Sequence, residues 1–115
     1  NRTIPMELSI WGGFYAGDKY KFVVFGQENP SQDNGKEVIR VVKYSKDWKR
    51  LGQTSLRGAN TTVPFDAGTV RCAEYGDYLY IRTCHEMYAS SRDGRNHQAN
   101  MTLAVRQSDM ALSVS

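Results

Sequence analysis

The segment EVIRVVKYSKDWKRLGQTSL, residues 37–56, decides the fold class. Glu37–Tyr44 is rich in Val and Ile and is apolar on both faces, which is typical of a buried strand. Residues 45–48 have the polar composition of a turn, and residues 49–56 return as a second strand. The segment therefore predicts an antiparallel hairpin.

Strand patterns continue on both sides of this hairpin, and helical periodicity is nearly absent. Gly76-Asp77 is a tight-turn signal between two apolar runs, because glycine tolerates a positive φ. Further strands are predicted at residues 6–11, 19–27, 69–75, 78–84, 100–107 and 110–114. The sequence predicts an all-β protein.

Two pairs of strings indicate an internal repeat. GDKYKF at residues 17–22 resembles GDYLYI at residues 76–81, and RVVKYS at residues 40–45 resembles LAVRQS at residues 103–108. Both strings of the second pair are followed by an acid and a large apolar residue. These are Asp47-Trp48 after RVVKYS and Asp109-Met110 after LAVRQS.

The repeat predicts two β-propeller-like units within a single β domain or fragment, residues 1–115. Each unit has four antiparallel strands, at residues 5–58 and 69–115, which is close to the size of a propeller blade. The alternative is a two-sheet β-sandwich. Because a closed propeller needs more blades than two, we expect self-association, pairing with missing blades of a longer parent protein, or collapse into the sandwich.

Composition excludes several classes of protein. The chain has 115 residues, 40% of them apolar, and no run of about 20 apolar residues, so no membrane span is expected. The 15 Lys and Arg residues are interleaved with 12 Asp and Glu residues rather than clustered, which argues against a nucleic-acid partner. In the predicted hairpin Cys72 faces Ile81 and Cys84 opposes Thr69, so both thiols are expected to be free. No cofactor is expected.

Both histidines fall in one stretch that the pattern assigns to a polar loop between two strands. His85-Glu86 ends one strand and His97 precedes the next, so both imidazoles are expected at the same end of the sheet. Asp66 and Glu86 would supply carboxylates for ligand binding or acid–base chemistry. The zinc-protease pattern is absent, and no metal site is predicted. Trp48 and Tyr88 are further ligand candidates, because a sugar ring stacks on an aromatic face.

Residues 38–110 also resemble propeller-like repeat regions of large uncharacterised secreted or surface proteins of anaerobic Gram-positive gut bacteria. The strings that carry the resemblance are VVKYSKDW at residue 41, GANTT at residue 58, PFDAG at residue 64, HEMY at residue 85, DG at residue 93 and HQAN at residue 97. The resemblance implies an extracellular or cell-surface location and a longer parent protein, and it brings no catalytic residues with it.

These observations favour a binding or scaffold module whose ligand is a carbohydrate or a surface protein. One alternative is a structural fragment without a ligand of its own. The other is part of a hydrolase-type active site around the segment between His85 and His97.

Overall fold

The protein is all-β, and its strands form two antiparallel four-stranded sheets. A computed structural model describes residues 3–68 and 70–115. Sheet A contains β1 (Ile10–Ala16), β2 (Lys21–Gly26), β3 (Glu37–Tyr44) and β4 (Arg50–Arg57). Sheet B contains β5 (Val70–Tyr75), β6 (Tyr78–Ala89), β7 (Asn96–Arg106) and β8 (Leu112–Val114). A short 3-10 turn, Asp66–Gly68, precedes β5. The described residues contain no helix long and apolar enough to cross a membrane.

Each sheet is a meander in which strands adjacent in sequence pair with one another. The hairpin read from residues 37–56 is β3 and β4, and β3 has the predicted bounds. The Gly76-Asp77 turn is confirmed, since Tyr75 pairs with Tyr78 across it. The first strand is Ile10–Ala16 rather than residues 6–11, because the chain forms a bulge at Gly12 that restores its pairing with β2.

The two sheets pack face to face, and the main hydrophobic core fills the space between them, which we call the seam. β1 lies beside β5, and β4 lies beside β8, so the sheets stack with the same strand order. Sheet A contributes alternate residues of its central strands, and sheet B does the same. The central buried side chains of the seam are Phe22, Val24, Ile39, Val41, Leu79, Ile81, Met101, Leu103 and Val105.

The face of sheet A that points away from the seam is also apolar, and the N-terminal segment partly covers it. Ile4 and Leu8 pack there together with Trp48, against a second cluster made of Val23, Phe25, Val42 and Tyr44. Glu7 fastens the segment through ion pairs with Arg40 at 3.1 Å and Arg50 at 2.8 Å. Hydrogen bonds from these guanidiniums, from Arg50 above all, lower the pKa of Glu7.

The two sheets are stacked head to tail, with equivalent faces pointing the same way. Val42 and Val105, which match in the sequence repeat, pair with Val23 in sheet A and with Leu79 in sheet B. Val105 and Leu79 face the seam, whereas Val42 and Val23 face away from it. A two-fold sandwich would instead bring equivalent faces together. Equivalent faces of the two sheets therefore point in the same direction. The match of GDKYKF with GDYLYI, which aligns Phe22 with Ile81, is out of this register by three residues, because strand pairing makes Phe22 equivalent to Tyr78.

The turn between the third and fourth strands repeats as well. Trp48 and Met110 occupy it in the two sheets, and both have a positive φ, 72° and 59°, which is uncommon for large side chains. In each turn the backbone N–H of this residue donates to a carbonyl at the end of the preceding strand, Ser45 in one and Arg106 in the other. Met110 is buried in the seam and Trp48 lies on the outer face of sheet A, in agreement with the head-to-tail order.

The segment before each sheet repeats too, which the strand patterns alone do not reveal. TIPME at residues 3–7 matches TVPFD at residues 62–66. Phe65 is buried in the seam so tightly that a Cβ added at Gly26 would lie 2.5 Å from its ring. Its counterpart Met6 is 51% exposed. The difference is that Phe65 has a sheet on each side of it, whereas Met6 has only one.

The cysteines lie on opposite faces of sheet B and are free, as predicted. Cys72 pairs with Ile81 and packs on the seam, where burial raises the pKa of its thiol to about 11. The predicted partner of Cys84, Thr69, lies outside the described residues, as does the first residue of the predicted second unit.

Replacing Phe65 should show how much of the stability resides in the seam. We expect Phe65→Ala to lower the free energy of unfolding by about 3–5 kcal/mol, because it removes a large buried side chain between two sheets. Met6→Ala, at the matching exposed position, should change it by only about 0.5 kcal/mol. Urea unfolding followed by tryptophan fluorescence measures both, and equal losses would contradict the difference in burial between the two positions.

Candidate functional site

His85 lies on the seam side of β6 and is buried. Its Nδ1 is 2.7 Å from the Oγ1 of Thr61, which belongs to the linker between the sheets. Burial lowers the pKa of His85, since an apolar environment disfavours the imidazolium. The ring is thus a neutral hydrogen-bonding partner that joins the linker to sheet B.

Glu86 ties the same linker to β6 from the neighbouring position. Its backbone N–H donates to the carbonyl of Val63 at 2.8 Å, forming an isolated bridge outside the named strands. The hydroxyl of Thr62 donates to the Glu86 side chain at 3.1 Å. Thr62 is itself buried. Glu86 therefore serves to anchor the linker along the edge of sheet B.

Tyr88 connects the end of β6 to the loop between β2 and β3. Its hydroxyl donates to Asn34 Oδ1 at 3.0 Å and accepts from Asn29 Nδ2 at 3.3 Å. Asn29 is fully buried, and its amide also donates to the carbonyls of Asp33 and Thr61. This network fixes a loop of sheet A against both the linker and sheet B, and it closes one end of the seam.

The predicted loop between the histidines is mostly strand. β6 continues to Ala89 and β7 begins at Asn96, so only residues 90–95 form the loop. Turn hydrogen bonds between Ser90, Gly94 and Arg95 close this short connection. The long strands arise because cross-strand pairing continues past polar residues that pattern alone assigns to a loop.

This extension gives the two histidines different surroundings. His97 is exposed near the hairpin tip, with Nε2 2.9 Å from Asp93 Oδ2, whereas His85 faces the seam. Asp66 interacts with Gln98 on the same hairpin. The five candidates His85, Glu86, Tyr88, His97 and Asp66 thus all lie along the β6–β7 hairpin or its contact with the linker, each with a separate partner.

A shallow groove of about 260 Å³ runs between the hairpin and the β2–β3 loop. Its ionisable groups are Glu28 and Glu86, and Glu86 accepts a hydrogen bond there from the hydroxyl of Thr62. No group of three or more His, Cys, Asp or Glu suited to a metal ion lies among the described residues. The lining residues are Glu28, Pro30, Gln32, Thr62, Val63, Glu86 and Asn96. Such a groove offers hydrogen bonds to a ligand.

Trp48 lies in a different part of the molecule, on the outer face of sheet A. Its ring stacks on Phe14 with centroids 5.5 Å apart, meets Tyr44 edge-on, and lies 4.4 Å from the Nζ of Lys21. It also lines a mainly apolar groove of about 220 Å³ whose charged residues are Glu7 and Arg50. Because the ring has three neighbours already, its main contribution here is to packing.

The strand patterns did not single out the exposed face of sheet B. Tyr75, Tyr78 and Tyr80 lie on it together with Arg71 and Arg82. The signal is present in the sequence, because the register of the Gly76-Asp77 hairpin places these alternate positions on one face. No family model, curated protein or solved structure matches the chain.

Replacing His85 should change how stability depends on pH. Because the folded pKa is lowered from 6.5, the unfolded chain binds a proton that the folded chain does not. Stability is therefore full above pH 6.5 and falls as the pH drops below it, by at most about 1.4 kcal/mol per pH unit. His85→Gln keeps a hydrogen-bonding side chain and should abolish this fall between pH 7.5 and 5.5 in urea titrations.

His97→Gln is the matched control, since it removes the exposed imidazole and keeps the buried one. Its stability should fall between pH 7.5 and 5.5 as much as that of the unmutated protein. A His85→Gln variant that still loses stability as steeply as the unmutated protein would show that the buried imidazole does not cause the effect.

Proposed function

We propose that this chain is a binding and scaffold module of a larger β-propeller protein, in which sheets A and B are consecutive blades. The observation that carries the proposal is the head-to-tail order of the sheets. Val42 and Val105 are equivalent, yet one faces outward and the other faces the seam. Consecutive blades of a propeller repeat by rotation about an axis, which preserves this order. An extracellular or cell-surface location is part of the proposal, and it is supported by the resemblance of residues 38–110.

The contact between the sheets is that of a permanent scaffold. The apolar seam is closed at one end by the network of Asn29 and Tyr88. At the other end the Nζ of Lys43 donates to the carbonyl of Gln107 at 2.7 Å, and the Gln107 amide donates to Glu74 at 2.8 Å. Glu74 also accepts from the backbone N–H of Asp18. Polar contacts at both ends fix the relative position of the blades.

The repeat also indicates where a neighbouring blade binds. The seam-facing side of sheet B has its equivalent in the outer face of sheet A, where Met6, Trp11 and Phe14 are about half exposed. Met6 stands where Phe65 stands in the second unit, and Phe65 is buried by the preceding sheet. The occupant that fits this face is therefore another apolar sheet face, either a further four-stranded unit of the parent protein or, for the isolated chain, the same outer face of a second copy.

The scaffold presents loops and one sheet face to a ligand, which we propose to be a carbohydrate or a protein at the cell surface. The groove beside Glu86 offers hydrogen-bonding groups, and the exposed tyrosines of sheet B offer aromatic surface. A rigid scaffold that carries such groups on its exposed surfaces is the usual arrangement of a binding module.

The proposed blade contact predicts that the isolated chain self-associates. Sedimentation velocity over a range of concentrations should show a sedimentation coefficient that rises with concentration. Trp11→Lys should weaken association roughly 30-fold or more, since a central aromatic residue of an interface contributes about 2 kcal/mol. Val114→Lys, which replaces a similarly exposed apolar residue on β8, is the matched control and should leave association unchanged. A strictly monomeric chain at every concentration would overturn the proposed blade contact.

A further inference from the structure

The outward side of sheet B forms a continuous surface of tyrosine and arginine, which we call the Tyr/Arg face. Tyr75 is 81% exposed, and Tyr78 and Tyr80 stack on each other with centroids 6.0 Å apart. None of the residues that form it is acidic. They are Arg71, Ala73, Tyr75, Tyr78, Tyr80, Arg82, Thr102, Ala104 and Arg106.

Two of its arginines are placed so that they repel each other. Arg71 pairs directly with Arg82 across β5 and β6, and like charges at directly opposite positions destabilise a sheet. Arg106 has a carboxylate partner, Asp109 at 3.2 Å. Neither Arg71 nor Arg82 takes part in a salt bridge with another described residue, and Arg82 has only a long contact, 3.4 Å, with the hydroxyl of Thr102. An anion bound between them would remove the repulsion and satisfy both guanidiniums.

The Tyr/Arg face lacks the apolar composition by which the two sheets bind each other. Its equivalent in sheet A is the seam-facing side, where Phe22, Val24, Ile39 and Val41 pack against sheet B. In the strand-pairing register that makes Val42 equivalent to Val105, sheet B has Tyr78, Tyr80, Thr102 and Ala104 at these positions, which are more polar or smaller. This side of sheet B therefore lacks the apolar surface on which another sheet would pack, and a ligand of a different class fits it.

We infer that the Tyr/Arg face binds an acidic polysaccharide whose charges are carboxylates, a polyuronate. A guanidinium binds a planar carboxylate through two parallel hydrogen bonds, and two of them lie side by side here. In a uronic acid the carboxylate is attached to the sugar ring, so ring and charge are close neighbours. Tyr80 and Arg82 are two residues apart on one face of a strand, about 6.7 Å, which matches a ring on the tyrosine and its carboxylate on the arginine.

The same face fits a nucleic acid less well. Bases and sugar rings both stack on aromatic faces, so the tyrosines do not distinguish between the two ligands. Single-strand binding also uses a groove of many cations along the phosphate backbone, and this face has three, one of which already pairs with Asp109. The inference rests on the binding role proposed above and not on closure of a propeller ring.

The test is titration of polygalacturonate into the full chain at low salt, with dextran as the neutral polymer. Polygalacturonate should bind and dextran should not, and added sodium chloride should weaken binding. The double variant Arg71→Gln with Arg82→Gln should lose about 100-fold in affinity, tenfold for each charged contact removed. Arg92→Gln with Arg95→Gln removes the same charge from the exposed hairpin tip and should retain the affinity within about twofold. Circular dichroism confirms that both variants are folded.

Three results would overturn the inference. They are equal losses in the two double variants, no binding of polygalacturonate, and tighter binding of dextran sulfate or oligothymidylate than of polygalacturonate. The outcome is independent of the association experiment, because Trp11 lies on the opposite side of the molecule. A monomeric chain that binds polygalacturonate would overturn the blade contact and leave the Tyr/Arg face as its ligand surface.

Discussion

Burial of one apolar face of sheet A against one apolar face of sheet B is the constraint on which the rest of the structure depends. A single meander of four strands leaves two faces in contact with water, and a sheet with an uncovered apolar face is not stable alone. The seam removes Phe22 and Val24 of one sheet and Leu79 and Ile81 of the other from water. The positions of the linker, the β2–β3 loop and the long hairpin all follow from this contact, because each closes a part of the seam that the strands leave open.

The polar candidates of the site are best understood as part of that closure. His85, Thr61, Asn29 and Tyr88 form hydrogen bonds where the chain crosses from one sheet to the next. A buried polar group costs free energy unless it is paired, so these contacts favour one arrangement of linker and hairpin over others. No buried side-chain nitrogen or oxygen among the described residues lacks a partner. A ligand would therefore bind beside this network rather than replace it.

Local pattern was sufficient to predict the fold class and the pairing of several strands, and the reasons are physical. β3 is apolar on both faces and has turn residues at its end, so its bounds follow from composition. β1 contains Gly12 and Gly13 and was misplaced, since glycine weakens a strand signal and the bulge is specified by pairing with β2. The direction in which each sheet faces depends on contacts between residues far apart in sequence. The surroundings of His85 and His97 depend on the same contacts. No window of the sequence contains that information.

The repeat explains why the two outer surfaces of the molecule differ so strongly. Stacking of identical units would leave an apolar face on one side and its complementary apolar face on the other. The outer face of sheet A keeps this character, with Phe14 and Trp11 about half exposed. Sheet B departs from it at the positions where sheet A has Phe22 and Val24. Neighbouring residues of a strand point to opposite faces, so the outer face of sheet B can be polar while its seam-facing residues stay apolar. The stack can therefore end at sheet B, with the seam intact and a polar aromatic surface exposed to ligands.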